Sequence, residues 1–435
     1  MKARDPGVEN LPAIPVGRAC PDRRNWLGRR LRPPAPAPRP PRDLALEGLR
    51  GLCAGLVFYA HAFIPSNVLD PAWAPSPRFW WFNLGYAAVL VFFVLSGYVI
   101  GISSRAPPTA PIVRNYLQRR AARLLPVAWV AVGLAWLFQP QLPLRMVLGN
   151  FLFLQDSEPY LGLGLFPLLP NNPNLWSLHY EAIYYLGFLA IWKWAPPVGA
   201  LFAVLVLFGL APVWGWPIPQ VYARYAIGAL YWLVGLAVAW LTAPAASPSR
   251  RGNWPAAFCG VYALWTVGPL RELAFAGDFA RWLWPSPVAP HRLDFLAGCL
   301  WLLLAVTGRA PALCRKLTYA CLAWVAFGLG RLAFLGAWGE TATVAALAGV
   351  AAVLLARHDA RASPLARLAP LGTISFGLYA VAMPLQLAQQ AVCPGFSGSA
   401  LTFTVRFLLL TLGAVAVAWL LECKLAPLFR ARART

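Results

Sequence analysis

Residues 84–102 read LGYAAVLVFFVLSGYVIGI, nineteen positions without a charged side chain. An α-helix rising roughly 1.5 Å per residue needs about that many to cross about 30 Å of hydrocarbon. The run shows no apolar/polar alternation of the kind a barrel strand carries, and a helix bonds every backbone group internally. Similar runs recur at 44–64, 124–139, 176–194, 197–214, 222–241, 255–272, 292–308, 319–336, 340–356, 372–392 and 401–421. Pro212 and Arg331 interrupt the fifth and ninth. The expected fold is therefore all-α, a polytopic transmembrane helix bundle of about 10–12 spans. Composition agrees, since 59% of the 435 residues are hydrophobic and 12% charged, about half the charged share of a soluble domain.

A net charge of +22 invites a nucleic-acid reading, which its distribution excludes. The basic residues fall in the N-terminal segment or in short loops, with no aromatic-interleaved basic surface. Arg105, Arg114, Arg119, Arg120 and Arg123 follow the second run, Lys193 closes the fourth, and Arg250 and Arg251 follow the sixth. Arg309, Arg315 and Lys316 follow the eighth, Arg357, Arg361 and Arg367 the tenth, and Arg430, Arg432 and Arg434 end the chain. Every even-numbered exit is basic, which predicts both termini in the cytoplasm.

Residues 1–42, with PPAPAPRPP at 33–41, read as a disordered Pro/Arg-rich cytoplasmic arm able to lie on anionic membrane lipid. They are not a cleaved signal peptide, because the first apolar run starts only near Leu44 and carries Arg50. Residues 43–425 form the transmembrane domain and 426–435 a basic cytoplasmic tail. The 140–175 loop holds an apolar stretch at 144–154 before NNPN, consistent with an interfacial or re-entrant helix. Eight cysteines without a CxxC pair read as small buried hydrophobes, and no metal site is expected.

Of the segments that carry residues costly in hydrocarbon, three bear on chemistry. The first, RDLALEGLRGLCAGLVFYAHAFIP (42–65), contains Glu47, Arg50 and His61. At about 100° per residue, Arg50 lies about 300° and His61 about 320° from Glu47, so the three share a face. Arg50 and His61 are separated by about 16 Å along the axis and can line one channel without touching. The plainer alternative is an interfacial Glu47–Arg50 ion pair with His61 at the outer end. Gly48, Gly51 and Gly55 allow another element to approach closely. In the second, YLQRRAARLLP (116–126), Arg119, Arg120 and Arg123 crowd one helical turn, which suits phosphate as well as plain topological anchoring. In the third, NLWSLHYEAIYYLGF (174–188), Glu181 sits inside an apolar span beside Tyr184, Tyr185 and Phe188, with Trp176 and Ser177 at its start. An acid there requires an arginine partner or a proton-handling role.

These segments, in order, resemble membrane-bound acyltransferase family 3, the bacterial family of polysaccharide O-acetyltransferases and macrolide acylases. LEGLRGLCAGLVFYAHA is similar to the family's (D/E)GLRG…H opening, FFVLSGYVI (92–100) to FFVLSGF, and RRAARLLP (119–126) to RRxxRxxP. NLWSLHYEAIYY (174–185) is similar to WSLxxExxFY, and LGTISFGLYAVAMPL (371–385) to a late ISYSLYLxHxP helix. The resemblance implies a bacterial inner (plasma) membrane enzyme moving an acyl group, acetyl foremost, from cytoplasmic acyl-CoA to a hydroxyl. The acceptor would be a glycan, a glycolipid or a small hydroxylated molecule. It implies His61 as the essential histidine, acting as base or acyl carrier, with Arg50 near the donor and Glu47 and Glu181 as catalytic acids. Arg119, Arg120 and Arg123 would hold the coenzyme, and Trp176, Ser177, Tyr184 and Tyr185 would face substrate. For an acceptor that stays outside the membrane, a separate periplasmic transferase is a candidate partner. The late-helix histidine of the family is replaced here by Ala382, and twelve runs exceed the ten spans common in the family. The competing class is a transporter or flippase of a lipid-linked sugar, against which the absence of internal repeats counts.

Overall fold

The computed structural model describes residues 28–34, 43–63, 69–155, 166–214, 216, 218, 220–243, 253–269, 291–356 and 363–432. Its helices are α1 (Leu44–Phe63), α2 (Gly85–Ser103), α3 (Ala110–Phe138), α4 (Leu144–Phe151), α5 (Trp176–Trp194) and α6 (Val198–Leu210). They continue as α7 (Gln220–Leu241), α8 (Trp254–Val267), α9 (His291–Thr307), α10 (Pro311–Phe334) and α11 (Glu340–Leu355). Two short helices, α12 (Ser363–Ala366) and α13 (Ala369–Thr373), precede α14 (Ser375–Val392), α15 (Ala400–Trp419) and α16 (Ala426–Arg432). No strand occurs among the described residues, and each of the twelve apolar runs carries a helix. The loop at 140–175, expected to hold an interfacial or re-entrant helix, contains α4.

Among the described residues, five helical stretches are long and apolar enough to cross a membrane: Pro77–Ser103, Ala110–Phe138, Tyr222–Leu241, Pro311–Phe334 and Ala400–Phe429. Val198–Leu210, Trp254–Val267, Leu293–Thr307 and Glu340–Leu355 are apolar but shorter. Pro212 marks one such limit, because the chain leaves α6 for a 3-10 turn at Ala211–Trp214. Proline has no N–H to continue the helical ladder. Pro126, by contrast, lies inside α3, which runs from Ala110 without ending there. The third helix thus starts well before the expected 124, and the arginines at 119–123 sit on it, not ahead of it.

Contacts between helix ends define two faces. At the basic face, Arg120 donates to Ser103 Oγ (3.3 Å) and Arg309 to Thr242 O (2.8 Å). At the far face, Arg78 pairs with Glu340 (3.6 Å) and Tyr262 Oη donates to Trp81 O (2.8 Å). The N-terminal arm is not free throughout. Leu31 N donates to Pro196 O and Val198 N to Arg29 O, each at 2.9 Å, and Leu31 is fully buried. One leucine in an otherwise Pro/Arg-rich stretch supplies the apolar surface that seats residues 28–34 at the α5–α6 turn. The expectation of a wholly disordered arm fails there. The tail expected at 426–435 is helical through Arg432. The remaining arm residues and Arg250, Arg251, Arg357, Arg361 and Arg434 lie outside the described residues.

Small residues set the closest helix crossings. A Cβ on Gly97 would stand 1.9 Å from Trp232 O, and one on Gly235 would stand 1.9 Å from Val94 O. α2 and α7 therefore meet backbone to backbone, and neither carbonyl can turn aside without breaking its own helix. Gly97→Val is expected to cost about 3 kcal/mol, read as a lower melting midpoint of purified protein in detergent. An unchanged midpoint would mean the two helices separate freely. On α1, Gly48 and Gly51 admit the 365–372 backbone in the same way, while Gly55 has nothing close.

The helices α1 and α14 run parallel. Arg50 bonds Ser375 and the His61 carbonyl accepts from Gln386, each pair 325 residues apart in sequence. The two helices thus stay in register along their length, which fixes the axial level of every side chain they contribute to the site.

Candidate active site

A cavity of about 60 Å³ opens between α1, α2, α3, α5 and α14, roomy enough for about four waters. Its polar lining is Arg50, Ser96, Arg120, Arg123, Ser177, Glu181, Tyr185, Ser375 and Tyr379, and its apolar wall includes Val89, Phe93 and Phe376. Arg50 is held by Glu47 Oε2 (3.5 Å) and Ser375 Oγ (3.3 Å), with 13% of its side chain exposed. The plain ion-pair reading of Glu47 and Arg50 is thus correct in its contact, yet Arg50 still faces the cavity.

Glu181 lies one helical turn into α5. Its Oε1 accepts from Ser96 Oγ (3.2 Å) and from the hydroxyl of Tyr185. Tyr185 also forms one side of a slot for Arg120, whose guanidinium carbon lies 5.2 Å from the Tyr185 ring and 5.4 Å from the Tyr116 ring. The planar guanidinium suits that aromatic slot, where an ammonium would gain less. Arg123, one turn further along α3, lines the cavity. Arg119 is exposed and does not.

His61 stands outside this lining, at the far end of α1. Asn174 Nδ2 lies 3.2 Å from its Nδ1, and the Tyr379 ring centroid is 6.5 Å from the imidazole centroid. The loop that brings Asn174 there is itself fixed. Asn171 Nδ2 donates to Ala135 O (2.6 Å) and Asn172 Nδ2 to Ala380 O (3.0 Å), all three asparagines being buried. The NNPN stretch therefore serves to hold the imidazole. Tyr379 links the two parts of the site, since its hydroxyl meets Ser177 Oγ at 2.5 Å at the edge of the cavity.

A second contribution comes from the last helix. A π-helical segment at Leu420–Leu425 carries Glu422, whose Oε1 accepts from Gly377 N (2.7 Å) in the first turn of α14. A carboxylate at a helix N-terminus satisfies an orphan N–H and meets the positive end of the dipole. Glu422 thereby seats the helix that presents Ser375 and Tyr379. π-Segments of this kind concentrate at functional sites.

A family model described as an acyltransferase domain (acyltransferase family 3) matches residues 43–423. The chain belongs to that family. As an acyltransferase-family protein it is 33% identical over 142 residues to the exopolysaccharide production protein ExoZ of Rhizobium meliloti (strain 1021). The match covers 29% of this chain and 42% of that relative, so it spans less than half of ExoZ. No solved structure matches.

The sequence-derived site residues divide into two groups in this acyltransferase-family bundle. Arg50, Arg120, Arg123, Ser177, Glu181 and Tyr185 share one cavity, with Glu47 and His61 beside it. Trp176 and Tyr184 do not line it. Trp176 stacks on Tyr86 (5.6 Å), and Tyr184 donates to Tyr225 O (3.0 Å), packing on α7. Sequence reasoning missed Ser96, Asn174, Ser375, Tyr379 and Glu422. Ser96 and Tyr379 lie inside stretches already singled out for the family resemblance, and hydroxyls within such apolar runs were the available signal. The described residues contain no cluster of His, Cys, Asp or Glu able to hold a metal ion.

Proposed function

We propose that this chain is an integral membrane O-acyltransferase that uses cytoplasmic acyl-CoA, acetyl-CoA foremost, and passes the acyl group to a hydroxyl. The acceptor class is an envelope glycan, a glycolipid or a related small hydroxylated molecule. ExoZ is named for exopolysaccharide production, which supports a glycan. The chain would reside in the bacterial inner membrane with both termini cytoplasmic, as the basic even-numbered exits suggest.

One observation carries this reading. A single cavity has arginines toward the basic face, and beside it, past the Ser177–Tyr379 pair, an imidazole lies toward the far face. A donor bearing phosphates and an acceptor bearing a hydroxyl can thus approach from opposite ends. The diphosphate and 3′-phosphate of coenzyme A would lie at the arginine end, where Arg120 and Arg123 supply charge-assisted hydrogen bonds. With the Asn174 amide turned so that its oxygen accepts from Nδ1–H, His61 would offer a free Nε2 as general base. The acceptor oxygen, losing its proton to Nε2, attacks the thioester carbonyl. Collapse of the tetrahedral adduct breaks the C–S bond, and the departing sulfur takes the proton back from the imidazolium.

Purified protein supplied with radiolabelled acetyl-CoA is expected to release CoA and to label a membrane glycan fraction. A flippase would leave the thioester intact, and that result would remove the enzyme reading. Arg120→Gln combined with Arg123→Gln is expected to raise KM for acetyl-CoA by about 150-fold or more, at about 1.5 kcal/mol or more per lost charged hydrogen bond. An unchanged KM would leave both arginines as topological anchors. Asn174→Ala is expected to lower kcat about tenfold with KM unchanged, about 1.4 kcal/mol of barrier. Equal activity would show that the imidazole needs no second contact.

A further inference from the structure

Resting on the acyl-transfer reading, the geometry points to Tyr379 as a catalytic residue, its Oη–H donating to the thioester carbonyl oxygen as negative charge develops there. Acyl transfer needs such a donor, because the carbonyl π electrons move onto oxygen when the acceptor attacks and return when sulfur leaves.

The proton inventory of the cavity isolates Tyr379. Tyr185 and Ser96 both commit their hydroxyl protons to Glu181 Oε1. Ser375 donates to Gly372 O (2.9 Å) while accepting from Arg50 (3.3 Å). Among the polar lining groups, that leaves the arginines and the Ser177–Tyr379 pair. Arg50 bonds Ser375, which lies one helical turn, about 6 Å, from Tyr379 toward the basic face. The arginines therefore sit on the donor's side of the reacting carbon.

Ser177 and Tyr379 share two hydroxyl protons across one contact of 2.5 Å, so one proton is uncommitted. Ser177 lies in the first turn of α5, so its Oγ reaches Tyr379 from the cavity edge. In the proposed arrangement Ser177 Oγ–H donates to Tyr379 Oη, and the free proton is the phenol's own. Tyr379 both lines the cavity and faces the imidazole, at 6.5 Å between ring centroids. A carbonyl between them would have its carbon within reach of a hydroxyl activated by His61 and its oxygen on Tyr379.

The test measures CoA release from radiolabelled acetyl-CoA by purified protein in lipid nanodiscs, for wild type, Tyr379→Phe, Ser177→Ala and His61→Ala. Tyr379→Phe is expected to lower kcat by roughly 100- to 1,000-fold, as loss of one oxyanion donor does. Its KM for acetyl-CoA and its melting midpoint should stay near wild type. Ser177→Ala should fall less, by about tenfold, since it orients the phenol without touching the carbonyl. Replacing Tyr379 by fluorinated tyrosines of graded acidity keeps the packing, and kcat should then vary with phenol acidity. A kcat for Tyr379→Phe within twofold of wild type, or a flat fluorotyrosine series, would overturn the inference. If His61→Ala is inactive while Tyr379→Phe is not, only this inference falls. A fully active His61→Ala removes His61 from the chemistry and overturns the carbonyl placement this inference uses. A wild type that leaves acetyl-CoA intact removes the transfer reading and this inference with it.

Discussion

Acyl transfer by a His61→Ala protein is expected to be about 1,000-fold slower than wild type, the middle of the range for loss of a general base. Its amount in membranes and its melting midpoint should be unchanged. The expectation follows from what His61 does structurally, which is little. Its backbone carbonyl accepts from Gln386, a contact alanine keeps. Among the described residues its ring makes one polar contact, with Asn174, and one loose aromatic contact, with Tyr379. Truncation therefore removes a proton acceptor without removing a support of the fold. Binding of acetyl-CoA should persist, because the arginines that would meet its phosphates lie about 16 Å away along α1 at the level of Arg50. A variant that transfers at the wild-type rate would exclude His61 from the chemistry. Recovery of an acetyl-imidazole on His61 from wild-type protein would instead make it the acyl carrier, with attack on the thioester by Nε2 itself.

The placement of Arg50 and His61 was legible because a helix is a rigid ruler. A 100° rotation and a 1.5 Å rise fix which residues share a face and how far apart they stand, whatever packs against them. The parallel register with α14 then brings Ser375 to Arg50 and Gln386 to the His61 carbonyl. Many helix ends were legible where apolar runs met Pro, Gly or Arg. The starts of α3 at Ala110 and α10 at Pro311, ahead of the runs at 124 and 319, were not. What the sequence did not disclose depends on rotation about a helix axis relative to neighbours. Arg119 and Arg120 are adjacent in sequence, yet one is exposed and the other sits between Tyr116 and Tyr185. Nothing in RRAARLLP distinguishes them until α5 is placed. Trp176 and Tyr184 likewise turn toward aromatic neighbours, whereas Ser177 and Tyr185 turn toward the cavity. Glu422 was illegible because a π-helical segment resets the angular phase of α15, and a count of 3.6 residues per turn does not carry across it.

Substituting Arg406 by leucine is expected to destabilise the protein by about 4 kcal/mol, the largest stability effect anticipated for one side chain here. Arg406 lies in the apolar run of α15 and is 2% exposed. A charged residue in such a place ordinarily marks a functional path, but its partners indicate otherwise. Its Nε donates to Phe396 O (2.6 Å), Nη2 to Cys393 O (2.6 Å) and Nη1 to Leu69 O (3.2 Å). The guanidinium fork thus ties the turn before α15 to the segment after α1, next to a second tie at Asp70. There, burial pushes the carboxyl's pKa up, but hydrogen bonds from Ser397, Thr402, Gly398 and Ala72 outweigh it and hold the group below its ordinary range. Leucine would leave three buried carbonyls without donors, each costing about 1–3 kcal/mol, partly offset because a buried cation no longer needs desolvating. Lysine keeps the charge but offers a compact ammonium where a flat fork is needed, so Arg406→Lys should recover less than half of the lost stability. The measurement is the melting midpoint in detergent beside the acetyl-CoA turnover of the surviving folded fraction. Turnover per folded molecule should match wild type, since no atom of Arg406 reaches the cavity lining. A normal midpoint with lost turnover would reverse the assignment and place Arg406 on a substrate path from the far face.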